Sequence, residues 1–567
     1  IASKFREDFL FRIYRAGKNS IERGSTDYWT ITPKRVAALQ ALAGESAGAE
    51  QAAAGDTGGG GGGGRGGIPI QYWNQLRSKD SRDPRGYIIP FDQPDFPTAT
   101  KFVNALLKAG IVVDRATADF TVAGKRYPAG SYVIQAAQAF RPHLRDMLEP
   151  QDHPNDFQYP GGPPKPPYDI TGYTLAFQMG VQFDRILDGF EGPFQKIDGL
   201  LKPPAGKVST GTAGYLLSHQ FNDAFTGTTR LLAAGQDIYW LKKEFTADGK
   251  TYPAGTIYIP AKPTTDAAVR KLSAELGLTF TGIAAKPQGD AFKLRPVRVG
   301  LWDRYGGSQD SGHIRWMFEQ AFPTPYELVY PPTLDAGGLN AKYDVLIFPE
   351  GGIPGESGRG GRGGGGGGGR GGRGGGRANV PDEYRNQMGN VTLATTGPQL
   401  RSFVEGGGTL VAIGSSTGVG SYLGLPVSSA LTETVDGSTR RLPNTKFYVP
   451  GSVLEATVDN TLPIAYGLSP KVDMFYMNSP AFRLQKDTGP THTQPVAWFA
   501  SAEPLRSGWA WGQQYLNGAV AAVESDMGKG KVYLFGPEIT FRGQPHGTFK
   551  FLFNAIYLAG AESVTLQ

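Results

Sequence analysis

Apolar residues follow a helical period at the start of this chain and give way to short strand-like runs further on. Between Phe5 and Tyr14, aromatic and aliphatic residues form a stripe that is interrupted by Arg, which predicts a helix. Thr32 followed by Pro33 predicts where a second helix begins, because threonine caps helix N termini and proline fits the first helical position. We expect residues 1–48 to be the helical tail of a domain that is missing from this chain.

An internal repeat organises the middle of the chain. The pattern Phe-Thr-x-x-Gly-Lys-x-Tyr-Pro-Ala-Gly occurs at residues 120–130 and again at 245–255. The glycine at the centre of each copy predicts a tight hairpin turn. The sequence therefore predicts two βα-hairpin units, one over residues 70–165 and one over 166–295.

The residues before each hairpin carry the βα part of the predicted unit. An amphipathic helix ends at Gly110 in the first copy and at Gly235 in the second, where glycine supplies the left-handed stop. Short apolar runs follow at 111–113 and 238–240, and we predict both as strands.

From residue 296 onward the pattern changes to alternating strands and helices. Near-continuous apolar strands that alternate with helices are typical of a parallel, doubly wound sheet covered on both faces. We therefore predict one α/β domain over residues 296–567. The predicted strands lie at 297–302, 327–330, 343–348, 409–413 and 531–535, and the helices at 311–322, 397–405 and 547–559.

Composition refines this division. The 567 residues suggest three or four domains, and aromatic residues at 11% exclude global disorder. Much of the glycine lies in a predicted linker, 49–69, and in a Gly/Arg-rich insertion, 351–377. The glycine-rich stretches 55–67 and 351–377 hold six Arg and two acidic residues, which is +4 of the net charge of +6, so the remainder is nearly neutral. We therefore expect no nucleic-acid partner.

Cysteine and long apolar runs are both missing from the sequence. Without cysteine there can be no disulfide, no thiolate zinc site and no Cys nucleophile. We expect no membrane span, because no run approaches 18 apolar residues. The chain begins at Ile1 without a basic-then-apolar leader, and we expect a fragment or a processed product.

Candidate chemistry lies in the loops after the predicted parallel strands, where open α/β sheets bind ligands. These loops are 303–313, 349–352 and 414–418. The third reads Gly-Ser-Ser-Thr-Gly and fits G-x-S-x-G, which would make Ser416 a nucleophile. The alternative is a plain turn over the sheet edge.

A serine triad also needs a base and a residue that orients it. His546 and Glu538 are the candidates downstream of the predicted elbow. Elsewhere, His143, Asp146 and His153 combine imidazole and carboxylate ligands that suit zinc. Hydrogen-bonded structural roles are the alternative for these three side chains.

The stretch from residue 297 to 559 resembles a class I glutamine amidotransferase-like domain. The resemblance is carried by Tyr343-Asp-Val-Leu-Ile-Phe-Pro, Gly406-Gly-Gly-Thr-Leu-Val-Ala-Ile and Gly530-Lys-Val-Tyr-Leu-Phe-Gly-Pro-Glu. It implies a flavodoxin-like α/β fold. The catalytic Cys of active members corresponds to Gly414 here, and their His-Pro-Glu reads Gly536-Pro-Glu538. Because only the acid remains, the resemblance implies a domain that does not catalyse the family's reaction.

A longer resemblance covers nearly the whole chain. The segments 142–153, 167–180 and 543–550 look like the C-terminal two thirds of large bacterial secreted zinc carboxypeptidases of the carboxypeptidase A type. The resemblance implies an N-terminal peptidase domain that holds zinc and acts on a peptide or polymer, and an extracellular or periplasmic location. None of the six histidines here is followed by Glu at the third position, so the family's H-x-x-E motif is absent from this sequence.

These inferences lead to one main hypothesis and two alternatives. We expect a non-catalytic accessory scaffold that needs no cofactor of its own, with zinc held by the missing peptidase domain. One alternative is an enzyme that uses Ser416 or the 303–313 loop as a hydrolase site. The other is a self-assembling surface protein with the glycine tracts as solvated bristles.

Overall fold

In the computed structural model of the chain, the described residues are 3–53, 70–74, 77–247, 249–354, 380–486 and 492–567. They form two compact units. The first comprises the described residues of 1–93, 102–156 and 182–201, and the second comprises the described residues of 94–101, 157–181 and 202–567. The predicted linker from residue 54 onward and most of the Gly/Arg-rich insertion lie outside the described residues.

The N-terminal region is helical, as predicted. Its helices are α1 (Arg6–Ser25), α2 (Pro33–Ala53) and α3 (Ile70–Trp73). The hydroxyl of Thr32 accepts a hydrogen bond from the Arg35 amide at 3.3 Å, so the predicted cap precedes α2.

An antiparallel sheet forms the centre of the first unit. The elements in this part of the chain are β1 (Gly86–Ile89), α4 (Phe96–Lys108), β2 (Asp114–Ala116), β3 (Phe120–Val122), β4 (Lys125–Tyr127), β5 (Tyr132–Gln135), α5 (Arg141–Leu148), α6 (Leu175–Met179), β6 (Asp184–Ile186) and β7 (Phe194–Lys196). The strand order is β6-β1-β5-β2-β7, and β3 and β4 form a separate hairpin. Ala123 and Gly124 both have positive φ in its tight turn.

The predicted strand at 111–113 is wrong, because β2 begins only at Asp114. The amide of Ile111 donates to the carbonyl of Leu106 at 3.0 Å and so closes the end of α4 instead of joining the sheet. The side chains of Ile111 and Val113 are buried, and this burial explains the apolar pattern without a strand.

A second antiparallel sheet begins the second unit. Its elements are β8 (Gly214–Leu217), α7 (Ala224–Ala233), β9 (Tyr239–Leu241), β10 (Phe245–Ala247), β11 (Lys250–Tyr252), β12 (Ile257–Pro260), α8 (Thr265–Leu276), β13 (Phe280–Ile283) and β14 (Gly289–Lys293). Strands β10 and β11 pair with each other, while the main sheet has the order β13-β8-β12-β9-β14 and then the last strand of the chain. The two antiparallel sheets differ in strand number, and the repetition of the βα-hairpin unit stays a prediction.

The remaining elements build a parallel sheet with a long antiparallel extension. The strands are β15 (Val299–Trp302), β16 (Glu327–Val329), β17 (Val345–Phe348), β18 (Thr409–Ile413), β19 (Val427–Ser429), β20 (Thr432–Val435), β21 (Ser438–Arg441), β22 (Pro450–Val458), β23 (Lys471–Met477), β24 (Phe482–Leu484), β25 (Thr493–Trp498), β26 (Leu505–Ser507), β27 (Val520–Met527), β28 (Gly530–Phe535) and β29 (Glu562–Leu566). The helices are α9 (Gln309–Trp316), α10 (Pro331–Asp335), α11 (Thr396–Glu405), α12 (Val419–Leu423) and α13 (Phe549–Ala559).

The parallel part has the strand order β16-β15-β17-β18-β28, and each neighbouring pair is parallel. Numbered along the chain, this is the order 2-1-3-4-5 of flavodoxin-like folds. The predicted doubly wound, flavodoxin-like domain is thereby confirmed. Strands β27, β25, β22 and β23 then continue the same sheet with antiparallel pairing, which the pattern of the sequence does not predict.

Helix α13 lies in the core of the second unit. Nine consecutive residues from Phe549 to Tyr557 are buried, as expected of a helix that is apolar nearly all round. The ring of Phe553 stacks on Phe225 with centroids 4.1 Å apart. After this helix, β29 pairs with β14 and joins the antiparallel sheet. Among the described residues, no helix is long and apolar enough to cross a membrane.

Candidate functional site

Acidic side chains collect where the parallel strands end. Asp303 follows β15 directly, Glu350 comes two residues after β17, and Glu538 comes three residues after β28. Gly414 follows β18 directly. The carboxyl ends of parallel strands lie at one edge of a sheet, so the fold brings these positions together.

Gly414 lies against two of these carboxyl groups. Its φ is +61°, in the left-handed region that favours glycine. A Cβ atom added there would lie 2.2 Å from Glu350 Oε2 and 2.7 Å from Glu538 Oε1. The position that corresponds to the amidotransferase Cys therefore has no room for a side chain while both carboxyl groups stay in place.

The turn after β18 holds Glu350. The amide of Ser415 donates to Glu350 Oε2 at 2.6 Å, and the hydroxyl of Ser415 donates to Oε1. The amide of Gly351 in turn donates to the Ser415 hydroxyl at 3.1 Å. Both oxygens of this carboxyl group are therefore hydrogen-bonded to the turn, which fixes its position.

Ser416 is fully buried beside this turn. Its hydroxyl donates to the carbonyl of Pro349 at 2.5 Å and accepts from the amide of Ile353 at 2.9 Å. Within the residues that the structure describes, no imidazole is hydrogen-bonded to it. The hydroxyl thus links the loops after β17 and β18 and is not paired with a general base.

Glu538 has a strongly perturbed pKa. Burial raises the pKa of Glu538 well above its usual range, and the nearby Glu350 and Asp310 carboxyl groups raise it further. A hydrogen bond between Glu538 and Glu350 acts in the same direction. Glu538 therefore retains its proton more readily than an ordinary glutamate, and the protonated carboxyl group can donate a hydrogen bond to Glu350.

Asp310 and His313 complete this group from the first turns of α9. Burial, with a smaller contribution from Glu350, raises the pKa of Asp310 to about 6. Burial and the positive charge of Arg542 lower the pKa of His313 to about 4, so its ring is neutral near pH 7. Its Nδ1 lies 3.8 Å from Asp310 Oδ1. The sheet edge thus combines two carboxyl groups with raised pKa, those of Glu538 and Asp310, with the hydrogen-bonded side chain of Glu350 and a neutral imidazole.

Asp303 has a different role. Its Oδ1 accepts hydrogen bonds from the amides of Arg304 at 2.8 Å and Ser308 at 2.7 Å. It therefore fixes the turn between β15 and α9 and so helps to place Asp310.

His546, the predicted base, lies among other residues. Its ring centroid is 4.7 Å from that of Phe549, and burial together with Lys101 and Lys550 lowers its pKa well below the usual range. Its Nδ1 is buried without a hydrogen-bond partner among the described residues. No described contact joins His546 to Ser416 or Glu538, so the structure does not assemble the predicted triad.

A buried lysine lies in the same neighbourhood as His546. Lys550 Nζ donates to Asn222 Oδ1 at 2.5 Å, and burial lowers the pKa of the amine to about 8. Asp95 and Asp223 act against this shift, and Asp223 also pairs with Lys101 at 2.7 Å. The sequence signal for this cluster is a single lysine within the apolar run of α13, which the sequence analysis did not use.

The three candidate metal ligands lie in the first unit. His143 and Asp146 are one turn apart on α5, as their spacing predicts. Nδ1 of His153 lies 2.8 Å from the carbonyl oxygen of Pro154, in the loop after the helix. Over the described part of the chain, no group of three His, Asp or Glu residues could hold a metal ion.

Two of the acidic residues at the sheet edge are not predicted by the sequence. Glu350 and Asp310 lie in the loops at 349–352 and 303–313 that the strand pattern singled out, but neither residue was selected within its loop. The available signal was an acidic residue placed shortly after a buried parallel strand, where the fold brings loops together.

Comparison with known proteins adds little. No protein-family model and no curated protein matches this sequence. Solved structures similar to part of the chain include a beta-galactosidase from Bacillus circulans sp. alkalophilus, at 10% identity and a TM-score of 0.26 over 48% of this chain and 32% of that one. A putative GMP synthase component from Thermoplasma acidophilum has 11% identity and a TM-score of 0.27, over 46% of this chain and 94% of its own. PurLQS from Thermotoga maritima has 14% identity and a TM-score of 0.26, over 46% of this chain and 99% of its own.

The chain spans less than a third of the length of the beta-galactosidase. TM-scores this low do not establish a shared activity, and the fold assignment rests on the strand order of the sheet.

Proposed function

We propose that this chain is the non-catalytic accessory portion of a secreted protein related to the zinc carboxypeptidases, and that its parallel sheet is an amidotransferase-like scaffold without the family's reaction. The observation that carries the proposal is the contact of Gly414 with two carboxyl groups. A nucleophile at this position would need the space that Glu350 and Glu538 occupy. An acyl-transfer site without nucleophile and base has no covalent route.

The environment of Ser416 supports the same conclusion for serine chemistry. A serine nucleophile needs a base within hydrogen-bond reach and access for a substrate. Both described hydrogen bonds of the Ser416 side chain go to main-chain groups, and the residue has no exposed surface.

The identity of the parent protein rests on the sequence alone. Segments 142–153, 167–180 and 543–550 carry the resemblance to zinc carboxypeptidases. On this proposal the parent acts outside the cell or in the periplasm on a peptide or polymer. Its zinc belongs to the peptidase domain, and the two units described above hold or orient that domain.

The experiment measures activity and metal content on the purified chain. We expect no glutaminase activity, no release of C-terminal residues from peptides and no stoichiometric zinc by elemental analysis. A serine-reactive phosphonate should not label Ser416, and the S416A variant should give the same background as wild type. Stoichiometric zinc, or labelling that S416A abolishes, would overturn the proposal.

A second candidate function is supported by the carboxyl groups themselves. Perturbed pKa values of Glu538 and Asp310 beside a neutral His313 are typical of sites that perform acid–base chemistry. In such a hydrolase Glu538 would donate a proton and Glu350 would accept one. Hydrolysis that is lost in E538Q and retained in S416A would select this function over the scaffold. If neither E538Q nor S416A hydrolyses the substrate, this function is excluded.

A further inference from the structure

The N-terminal half of α1 presents large apolar side chains to the surroundings. Leu10, Ile13 and Tyr14 are 65%, 70% and 63% exposed, and Phe9 and Phe11 are also exposed. A cluster of adjacent exposed apolar side chains of this size is uncommon on a soluble protein and marks an interaction site.

The other half of α1 is anchored, so the exposed half is held in place. A Cβ on Gly24 would lie 2.1 Å from the carbonyl oxygen of Ala136, which shows how closely the helix approaches this segment. A Cβ on Gly17 would lie 3.4 Å from the Cβ of Ala139. The helix therefore extends from a fixed contact within the first unit.

The apolar positions span a wide arc of the helix. At 3.6 residues per turn, Phe5, Phe9, Ile13, Leu10 and Tyr14 fall within about half of the circumference, and Phe11 lies outside this arc. The seam of a two-helix coiled coil is narrower than this, because it uses only the a and d positions. A broad arc suits a helix that lies along an extended apolar boundary.

The charge of the same segment indicates which kind of apolar surface the helix binds. Residues 4–18 contain five basic and two acidic side chains, a net charge of +3. Arg15 and Lys18 fall on the side opposite the apolar arc, together with Phe11, and Arg12 lies at its edge, where it pairs with Asp8 at 2.9 Å. Exposed aromatic and aliphatic residues on a helix with a net positive charge are the features of interfacial helices on anionic lipid.

We propose that α1 binds the surface of an anionic lipid bilayer, with its axis in the plane of the interface and Phe9, Leu10 and Ile13 inserted between the headgroups. The basic residues contact the lipid phosphates and carboxylates, and Arg6 reaches the headgroups from within the apolar arc. The proposal is independent of the function proposed for the sheet edge.

The experiment is flotation of the full chain with vesicles of phosphatidylcholine and phosphatidylserine, compared with vesicles of phosphatidylcholine alone. We expect partition into the anionic vesicles that weakens as salt is added. The L10Q/I13Q variant should reduce the partition coefficient at least about tenfold, because two apolar side chains no longer enter the bilayer. The R15Q/K18Q variant should reduce binding to anionic vesicles roughly fivefold per charge removed.

The matched control is I31Q, which makes the same change at an exposed apolar residue outside α1 and should bind as wild type does. Circular dichroism checks that the variants keep their helix content. Equal binding by wild type and L10Q/I13Q, or no binding by wild type, would overturn the proposal. Sedimentation that shows a dimer dissociated by L10Q/I13Q, without vesicle binding, would assign the surface to a second copy instead.

Discussion

Glu538 and Glu350 are hydrogen-bonded to each other at the edge of the parallel sheet, beside a glycine with no side chain. Burial and the nearby Glu350 carboxyl group raise the pKa of Glu538, so Glu538 retains its proton above the pH at which an ordinary glutamate loses it. This pair occupies the place where the amidotransferase resemblance would put a nucleophile.

The space at Gly414 gives the first prediction. We expect G414A to lower the free energy of unfolding by about 3 kcal/mol or more, since the new methyl group collides with Glu350 and the left-handed φ costs about 1–2 kcal/mol by itself. G424A is the control. Gly424 has a φ of +75° with no atom within 4 Å of an added Cβ, so only the conformational cost applies.

Urea unfolding of both variants measures the difference. In the G414A/E350A double variant the collision with Glu350 is relieved, and the loss should be smaller than the sum of the single losses. Equal losses in G414A and G424A would contradict the close contact.

The proton on Glu538 gives the second prediction. The folded pKa of Glu538 is raised, so its contribution to stability is complete below the unfolded pKa and is lost as pH rises towards the folded value. E538Q keeps a neutral hydrogen-bond donor for Glu350, and because glutamine does not titrate, the variant does not lose this stability as pH rises. We expect E538Q to be more stable than wild type at pH 8 by at least about 1 kcal/mol, and the gain to shrink at pH 4.

Unfolding curves at both pH values check this, with E405Q at the exposed end of α11 as the control. A gain from E538Q that is the same at both pH values would mean that the carboxyl group titrates normally.

The coupling of Asp310 to Glu350 gives the third prediction. Burial is the main reason that the pKa of Asp310 is about 6, and the Glu350 charge adds to it. We therefore expect E350Q to lower the pKa of Asp310 by a fraction of a unit without restoring the usual value. Carboxyl carbon NMR titration of the wild type, E350Q and D310N identifies and follows this group. An unchanged Asp310 titration in E350Q would contradict this electrostatic coupling.

The hydroxyl of Ser416 gives the fourth prediction. S416A leaves the amide of Ile353 and the carbonyl of Pro349 without this partner, which should lower the free energy of unfolding by about 1–3 kcal/mol. The partly exposed Ser428, whose hydroxyl lies 3.4 Å from its acceptor, supplies the control variant S428A with little expected change. A neutral S416A would show that the two loops do not depend on this hydroxyl.

The sequence predicted the parallel sheet well because the signal there is local. Strands such as β17 and β18 are short, continuously apolar runs between turn residues, and their burial on both faces follows from the fold class. The antiparallel extension has no comparable signal. Its pairing depends on contacts between distant segments, for example β22 with β23 and β25 with β27.

The candidate site was predicted in position but not in composition. Strand ends located the loops, and Glu538 was named as a candidate. The motif around Ser416 matches a pattern, but it carries no information on what the hydroxyl binds. The contact between Glu350 and Glu538 joins residues far apart in the chain, and only the assembled sheet brings them together.

The buried amine of Lys550 gives the last prediction. Its pKa falls from 10.5 to about 8 in the folded state, so between these values the unfolded chain binds more protons and stability rises with pH. Between pH 8 and pH 10.5 the wild type should gain up to about 3 kcal/mol relative to K550M, which has no group to titrate there. K271M, at an exposed position on α8, should follow the wild type across the same range when urea unfolding is measured at each pH. Parallel profiles for wild type and K550M would show that the amine titrates as an exposed lysine does, because only a buried amine releases its proton more readily in the folded state than in the unfolded one.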